Sequence, residues 1–199
     1  VGFTNSIQDD GTVLENMMNR IIHRGPDSKG KFTNEDIALG FRRLSIIDLA
    51  DGDQPMFNED HSVVVVFNGE IYNFKTLREE LEAKGHVFAN HADTEVLVHG
   101  YEEWGTDLPK HCRGMFAFMI YDLKNDIAFG ARDYFGIKPF YYSVINEQLV
   151  FGSEIKSILE FPSFEKKFNY KTLDNYLSFQ YAVPPETFFE GVYIRMTAP

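Results

Sequence analysis

Asn68-Gly69-Glu70 follows the apolar run 63–67. An amide, a glycine N–H and a carboxylate therefore emerge together at the end of a predicted strand. An Asn amide and a Gly N–H are the donor types that stabilise an oxyanion during acyl transfer, and the same dipeptide is also the commonest turn pair. Arg43 stands in Arg42-Arg43-Leu44-Ser45-Ile46-Ile47-Asp48, a mostly apolar stretch that would hold a guanidinium out of bulk water. Such an arginine can grip a carboxylate bidentately. An ion pair with Asp48 or Asp27 is its plainer use, and spacing does not separate Arg42 from Arg43. Asp93 precedes a predicted helix, where it can cap the N-terminus or receive an ammonium group. His23-Arg24-Gly25-Pro26-Asp27 concentrates polar groups at a helix exit and reads as a tight hydrogen-bonded turn. Cys112 beside His111 has the atoms of a thiol nucleophile, but adjacent side chains point apart, and a lone internal cysteine is more often a small buried hydrophobe.

The elements that carry these residues follow from periodicity. Val13, Leu14, Met17, Met18, Ile21 and Ile22 recur at helical spacing. Thr12 with Glu15 reads as a capping box, and Gly25-Pro26 stops the helix. A second helix carries Phe74, Leu77 and Leu81 between Asn73 and Gly85; a third carries Val96, Leu97, Tyr101 and Trp104 between Asp93 and Gly105. Strand-like runs occupy 37–41, 63–67, 115–121, 127–130, 140–144 and 149–151. Asn58-Glu59-Asp60, Lys124-Asn125-Asp126 and Asn146-Glu147 supply short turns between strands. Meandering strands so joined imply antiparallel sheets with helices packed outside, an α+β class.

Composition narrows the function classes. The 199 residues carry 30 acidic and 19 basic side chains, a formal charge of −11, with a pI near 4.9. A 44% hydrophobic content supports a buried core in one domain and argues against disorder. The acidic balance disfavours nucleic acid as a partner. No apolar run approaches the roughly 18 residues of a membrane span. One cysteine allows no intrachain disulfide and fits a reducing, cytoplasmic setting. The start at Val1-Gly2-Phe3, without Met, leads us to expect further residues upstream.

The motifs gain weight in order: His23-Arg24-Gly25-Pro26-Asp27; Arg43-Leu44-Ser45-Ile46-Ile47-Asp48; Phe67-Asn68-Gly69-Glu70-Ile71-Tyr72-Asn73; Asp93-Thr94-Glu95; Arg113-Gly114-Met115-Phe116-Ala117-Phe118; Gly130-Ala131-Arg132-Asp133-Tyr134-Phe135-Gly136-Ile137-Lys138-Pro139; and Ser153-Glu154-Ile155-Lys156. In this order they resemble the glutaminase domain of glutamine-dependent asparagine synthetases, over essentially the whole chain 1–199. The resemblance implies an N-terminal-nucleophile hydrolase, a class II glutamine amidotransferase, built as a four-layer αββα sandwich. It implies that a cysteine three residues before Val1 attacks glutamine, with its own α-amine as base, and that the resulting thioester is hydrolysed to glutamate after ammonia leaves. An α-amine, with an ordinary pKa of about 8, suits proton shuttling near neutrality.

By the same resemblance, Asn68 and Gly69 form the oxyanion hole and Arg43 clamps the substrate α-carboxylate. Backbone groups of Leu44, Ser45, Ile46 and Ile47 line the pocket, and Glu70 and Asp93 receive the α-ammonium. No metal or cofactor is implied for this domain. ATP and Mg belong to a C-terminal synthetase domain, whose Ser-Gly-Gly-x-Asp-Ser loop does not occur here; a homodimer is a further expectation. A nucleophile-less glutamine-binding homologue and an amidotransferase with another ammonia acceptor are the alternatives.

Overall fold

A computed structural model describes residues 1–5, 11–44 and 52–196. The chain forms β1 (Gly2–Thr4), α1 (Thr12–Arg20), β2 (Ser28–Thr33), β3 (Ile37–Arg43), β4 (Met56–Phe57), β5 (Val63–Ile71), α2 (Phe74–Ala83) and α3 (Glu95–Trp104). It continues through α4 (Leu108–His111), β6 (Gly114–Asp122), β7 (Ile127–Arg132), β8 (Tyr141–Ile145), β9 (Gln148–Gly152), α5 (Ile155–Ile158), α6 (Tyr170–Phe179) and β10 (Tyr193–Ile194). One sheet has the order β10-β8-β9-β1-β3-β2 and the other β4-β5-β6-β7. Every pairing in both is antiparallel.

Strand periodicity divides the interior into three apolar layers. Val64 and Val66 of β5 meet Ile37 and Leu39 of β3 between the sheets. Their neighbours Val63, Val65 and Phe67 face Leu77, Leu81, Val96 and Leu97 of α2 and α3. On the opposite side, Phe3 and Ala38 pack on Leu14, Met17, Met18 and Ile158 of α1 and α5. Helix, sheet, sheet, helix is the order of layers, and the α+β, αββα expectation holds.

Several boundaries differ from the periodic reading. Gly11, at φ 91°, occupies the N-cap of α1, and Thr12 is its first helical residue. Glu15 does not close a capping box; its carboxylate pairs with Lys29 at 2.5 Å and Lys31 at 3.5 Å on β2. The α-helix ends at Arg20, and Ile22–Arg24 continue as a 3₁₀ turn. Asn73 does occupy the N-cap of α2, but its side chain bonds the His111 carbonyl and the Arg113 N–H instead of the helix. Asn146 and Glu147 both have positive φ, the conformation of a two-residue hairpin turn.

Candidate active site

The open edge of β5 builds the site. The β4 strand pairs only with Val64 and Val65, so among the described residues no strand lies on the outer side of β5 beyond Val65. Phe116, opposite Gly69, directs its N–H and carbonyl to Asp133 on the far side of β6. Its partner Gly69 therefore turns its own N–H away from β6, as do Phe67 and Ile71. The Phe67 N–H donates to the Gln54 side-chain carbonyl at 2.6 Å, and the Ile71 N–H donates to Asp93 Oδ2 at 2.8 Å. Between these two filled positions, the Gly69 N–H opens on a cavity of about 760 Å³, within the usual range for small ligands.

Glycine at 69 is a steric requirement. A Cβ there would stand 2.1 Å from the Met115 carbonyl oxygen. Asn68 shares the parity of Val64 and Val66, so its side chain lies on the sheet-to-sheet side. Its amide nitrogen is buried and has no hydrogen-bond partner among the described residues. A buried donor of this kind normally costs stability unless something accepts from it.

Arg43 ends β3 on the cavity wall, with its side chain largely buried. Its Nη1 lies 3.0 Å from Asp53 Oδ1, a pair whose acid is mostly exposed, and Gly52 lies against the guanidinium. Strand alternation resolves the Arg42–Arg43 ambiguity. Arg42 turns to α1, donating to the Met18 carbonyl and Asn19 Oδ1. The His23–Asp27 motif buttresses this strand end: a Cβ on Gly25 would meet the Arg42–Arg43 peptide at 2.4–2.6 Å, and the Asp27 N–H donates to the Arg43 carbonyl. His23, Arg24 and Lys156 converge on Glu154 at 2.7, 3.3 and 2.9 Å.

Two carboxylates complete the wall. Glu70 and Asp93 both line the cavity, and the Asp93 carboxyl is held above its ordinary range. Burial is the chief cause and the Glu70 charge adds to it, while the Ile71 N–H pulls the other way. A cation placed between them would offset both effects. Helix α3 takes Thr94 as its N-cap, so Asp93 is spent on the β5 edge instead.

Of the residues expected at the site, Arg43, Leu44, Asn68, Gly69, Glu70 and Asp93 line this one cavity; Ser45, Ile46 and Ile47 lie outside the described residues. Val1 borders it too, with Val1 and Gly40 exchanging both backbone hydrogen bonds. Cys112 packs against the helix-side core, where burial pushes its thiol up to about 12, unsuited to nucleophilic work. Gln54 was not foreseen, and a lone glutamine in a loop gives no signal that its carbonyl will end a strand edge. The loop 133–139, which brings Lys138 to the cavity, is held by buried Asp133 accepting from the N–H groups of Ile137 and Lys138. Arg132 fastens its far side through the Gly136, Lys138 and Arg195 carbonyls.

Comparison with known proteins gives the family and the fold. The family profile described as a glutamine amidotransferase domain matches residues 1–198. The glutamine-hydrolyzing asparagine synthetase 1 of Bacillus subtilis (strain 168) is 46% identical over 179 residues, covering 90% of this chain and 28% of that protein. Amidase chyE of Penicillium rubens is 36% identical over 181 residues, covering 90% of this chain and 26% of that protein. The chain thus spans 28% and 26% of the lengths of these two relatives. Among solved structures, glutamine phosphoribosylpyrophosphate amidotransferase from B. subtilis superimposes with a TM-score of 0.66 at 17% identity, covering 84% of this chain and 44% of that one. That likeness is one of fold. Among the described residues, no helix is long and apolar enough to cross a membrane.

Proposed function

The chain belongs to the glutamine amidotransferase domain family, and we propose that its cavity binds glutamine and presents the side-chain carboxamide for hydrolysis to glutamate and ammonia. The unpartnered, buried Asn68 amide beside the outward Gly69 N–H carries this reading. Two donors converge where a carbonyl oxygen becomes an oxyanion. Arg43 takes the α-carboxylate, and the Glu70–Asp93 pair takes the α-ammonium. One cation and two anions suit an amino-acid zwitterion, leaving the carboxamide to reach β5.

In this proposal a cysteine three residues ahead of Val1 is the nucleophile. Strand register supports the placement: Gly2 pairs with Leu39 and Phe3 with Ala38, so β1 extended upstream by three residues would end opposite Arg43, beside the clamp. The thiol sulfur bonds to the carboxamide carbon, its proton passing to the α-amine of the same cysteine. Collapse of the tetrahedral adduct breaks the C–N bond, and the α-ammonium returns that proton to the departing nitrogen, releasing ammonia. Water then cleaves the thioester to glutamate and free thiol. We assign the ammonia to activated aspartate in an ATP- and Mg-dependent synthetase domain beyond this segment, in keeping with the synthetase relative. The amidase relative supports a different acceptor as the second reading.

The test uses the longer protein carrying that cysteine. Glutamate release should be lost in its Cys→Ala form. Asn68→Ala should lower kcat by about 10²–10³ with little change in KM. An effect of Asn68→Ala confined to KM would contradict the oxyanion role. ATP-dependent asparagine formation from aspartate separates the two acceptors.

A further inference from the structure

We propose that Glu59, His86, His99 and Glu102 form a binding site for one Zn²⁺ ion, in the helical layer that covers the four-stranded sheet. None of the four lines the glutamine cavity, and the sequence resemblance implies no metal in this domain. One ligand atom from each lies within 4.8 Å of all the others. His99 Nδ1 is 3.3 Å from Glu59 Oε2 and 3.5 Å from Glu102 Oε2. His86 Nδ1 is 3.6 Å from Glu102 Oε2 and 3.9 Å from Glu59 Oε1. Ligands about 2.0–2.1 Å from a tetrahedral zinc are separated by about 3.3 Å. The observed spacings are near that value before any ion draws the groups together.

Burial supplies the independent observation. His99 is 0% exposed, and among the described residues neither of its ring nitrogens has a hydrogen-bond partner of proper geometry. Its Nδ1 points into a cluster of oxygens at distances a shared cation would close. A buried imidazole held in this way is costly by itself and satisfied by a metal.

The surrounding groups are arranged as metal-binding residues require. The second nitrogen of each histidine faces a carboxylate: His86 Nε2 lies 3.1 Å from Glu103 Oε1, and His99 Nε2 lies 3.6 Å from Glu95 Oε1. Those carboxylates are themselves fixed, Glu95 by the N–H groups of Ala89 and Asn90 and Glu103 by Lys84 at 3.1 Å. The ligand carboxylates are oriented too. Glu102 Oε1 accepts from the Asn58 amide at 2.9 Å, and Glu59 Oε1 accepts from the Val87 N–H at 3.3 Å. Such outer partners select tautomer and orientation at zinc sites. Two imidazoles with two carboxylates favour zinc over magnesium or calcium, which prefer all-oxygen shells. The two carboxylate charges also neutralise the ion.

For the test, the full chain is stripped with a chelator and dialysed against ZnCl₂, then against zinc-free buffer. Bound metal is counted by inductively coupled plasma mass spectrometry while Tm is followed. About one zinc per chain should be retained with a raised Tm, and MgCl₂ or CaCl₂ should produce neither effect. Glu59→Gln and Glu102→Gln keep acceptors for Val87 and Asn58. Each should weaken zinc binding by about tenfold or more while leaving glutamine affinity unchanged. Failure to retain zinc, or undiminished retention in the double Glu→Gln variant, overturns the proposal. If the double variant does not fold, Glu103→Gln gives the second check: zinc affinity about tenfold weaker supports the site, and parental affinity counts against it.

Discussion

At the scale of single residues, the cavity wall combines one unsatisfied donor with one strained acid. Arg43 and Asn68 should separate kinetically. Under the proposed function, Arg43→Ala removes a contact made equally in ground and transition states, so KM for glutamine should rise strongly with kcat nearly kept. Steady-state kinetics on both variants checks the division. Asp93 links binding to stability. Its folded-state pKa lies above the unfolded value of about 3.9, so its ionised form costs stability. The cost is absent below pH 3.9, grows as pH rises from there toward the folded pKa, and is complete only above it. Asp93→Asn, which keeps an acceptor for the Ile71 N–H, should therefore raise Tm at pH 7 and leave it unchanged near pH 3.5, while weakening glutamine binding. Thermal melts at the two pH values would show it.

At the scale of elements, the site depends on two strands approaching closely at their ends. A Cβ on Gly114 would lie 2.1 Å from the Glu70 carbonyl oxygen, as one on Gly69 would from that of Met115. Gly114→Ala should therefore lower both Tm and kcat although residue 114 does not line the cavity. Gly85→Ala, also at positive φ but with nothing within 4 Å, should cost about 1 kcal/mol of stability and no kcat. Denaturant melts beside turnover assays distinguish them. The strands that carry these glycines were legible because β5 and β6, buried on both faces, are long and apolar. β2 was not, because Ser28–Thr33 is an edge strand with mostly exposed side chains and no apolar alternation. Helix α6 escaped notice although Asn169 caps it through the Thr172 N–H, because its aromatic face is largely exposed instead of meeting a core. Arg43, Asn68, Gly69 and Asp93 stood out only through the ordered resemblance of their motifs, since spacing alone left each with a plainer use. What Gln54 does was not legible, since it depends on β4 stopping after two residues, which no local pattern encodes.

At the scale of the whole molecule, the same early stop has a consequence for association. A sheet edge with outward N–H groups is a template for a strand from another chain, and here the groups of Phe67, Gly69 and Ile71 lie in a row. The side chains of Gln54 and Asp93 occupy the two flanking positions, so no incoming strand finds consecutive donors to pair with. Under the proposed function, substrate access and protection from aggregation thus share one device: a gap wide enough for an amino acid and too interrupted for a polypeptide. Replacing both Gln54 and Asp93 by Ala should remove the interruption, and light scattering at rising concentration should then report species larger than the parent forms. On this view the cavity is a managed fault in a β-sheet, and the side chains that close its two flanks also guard against misassembly.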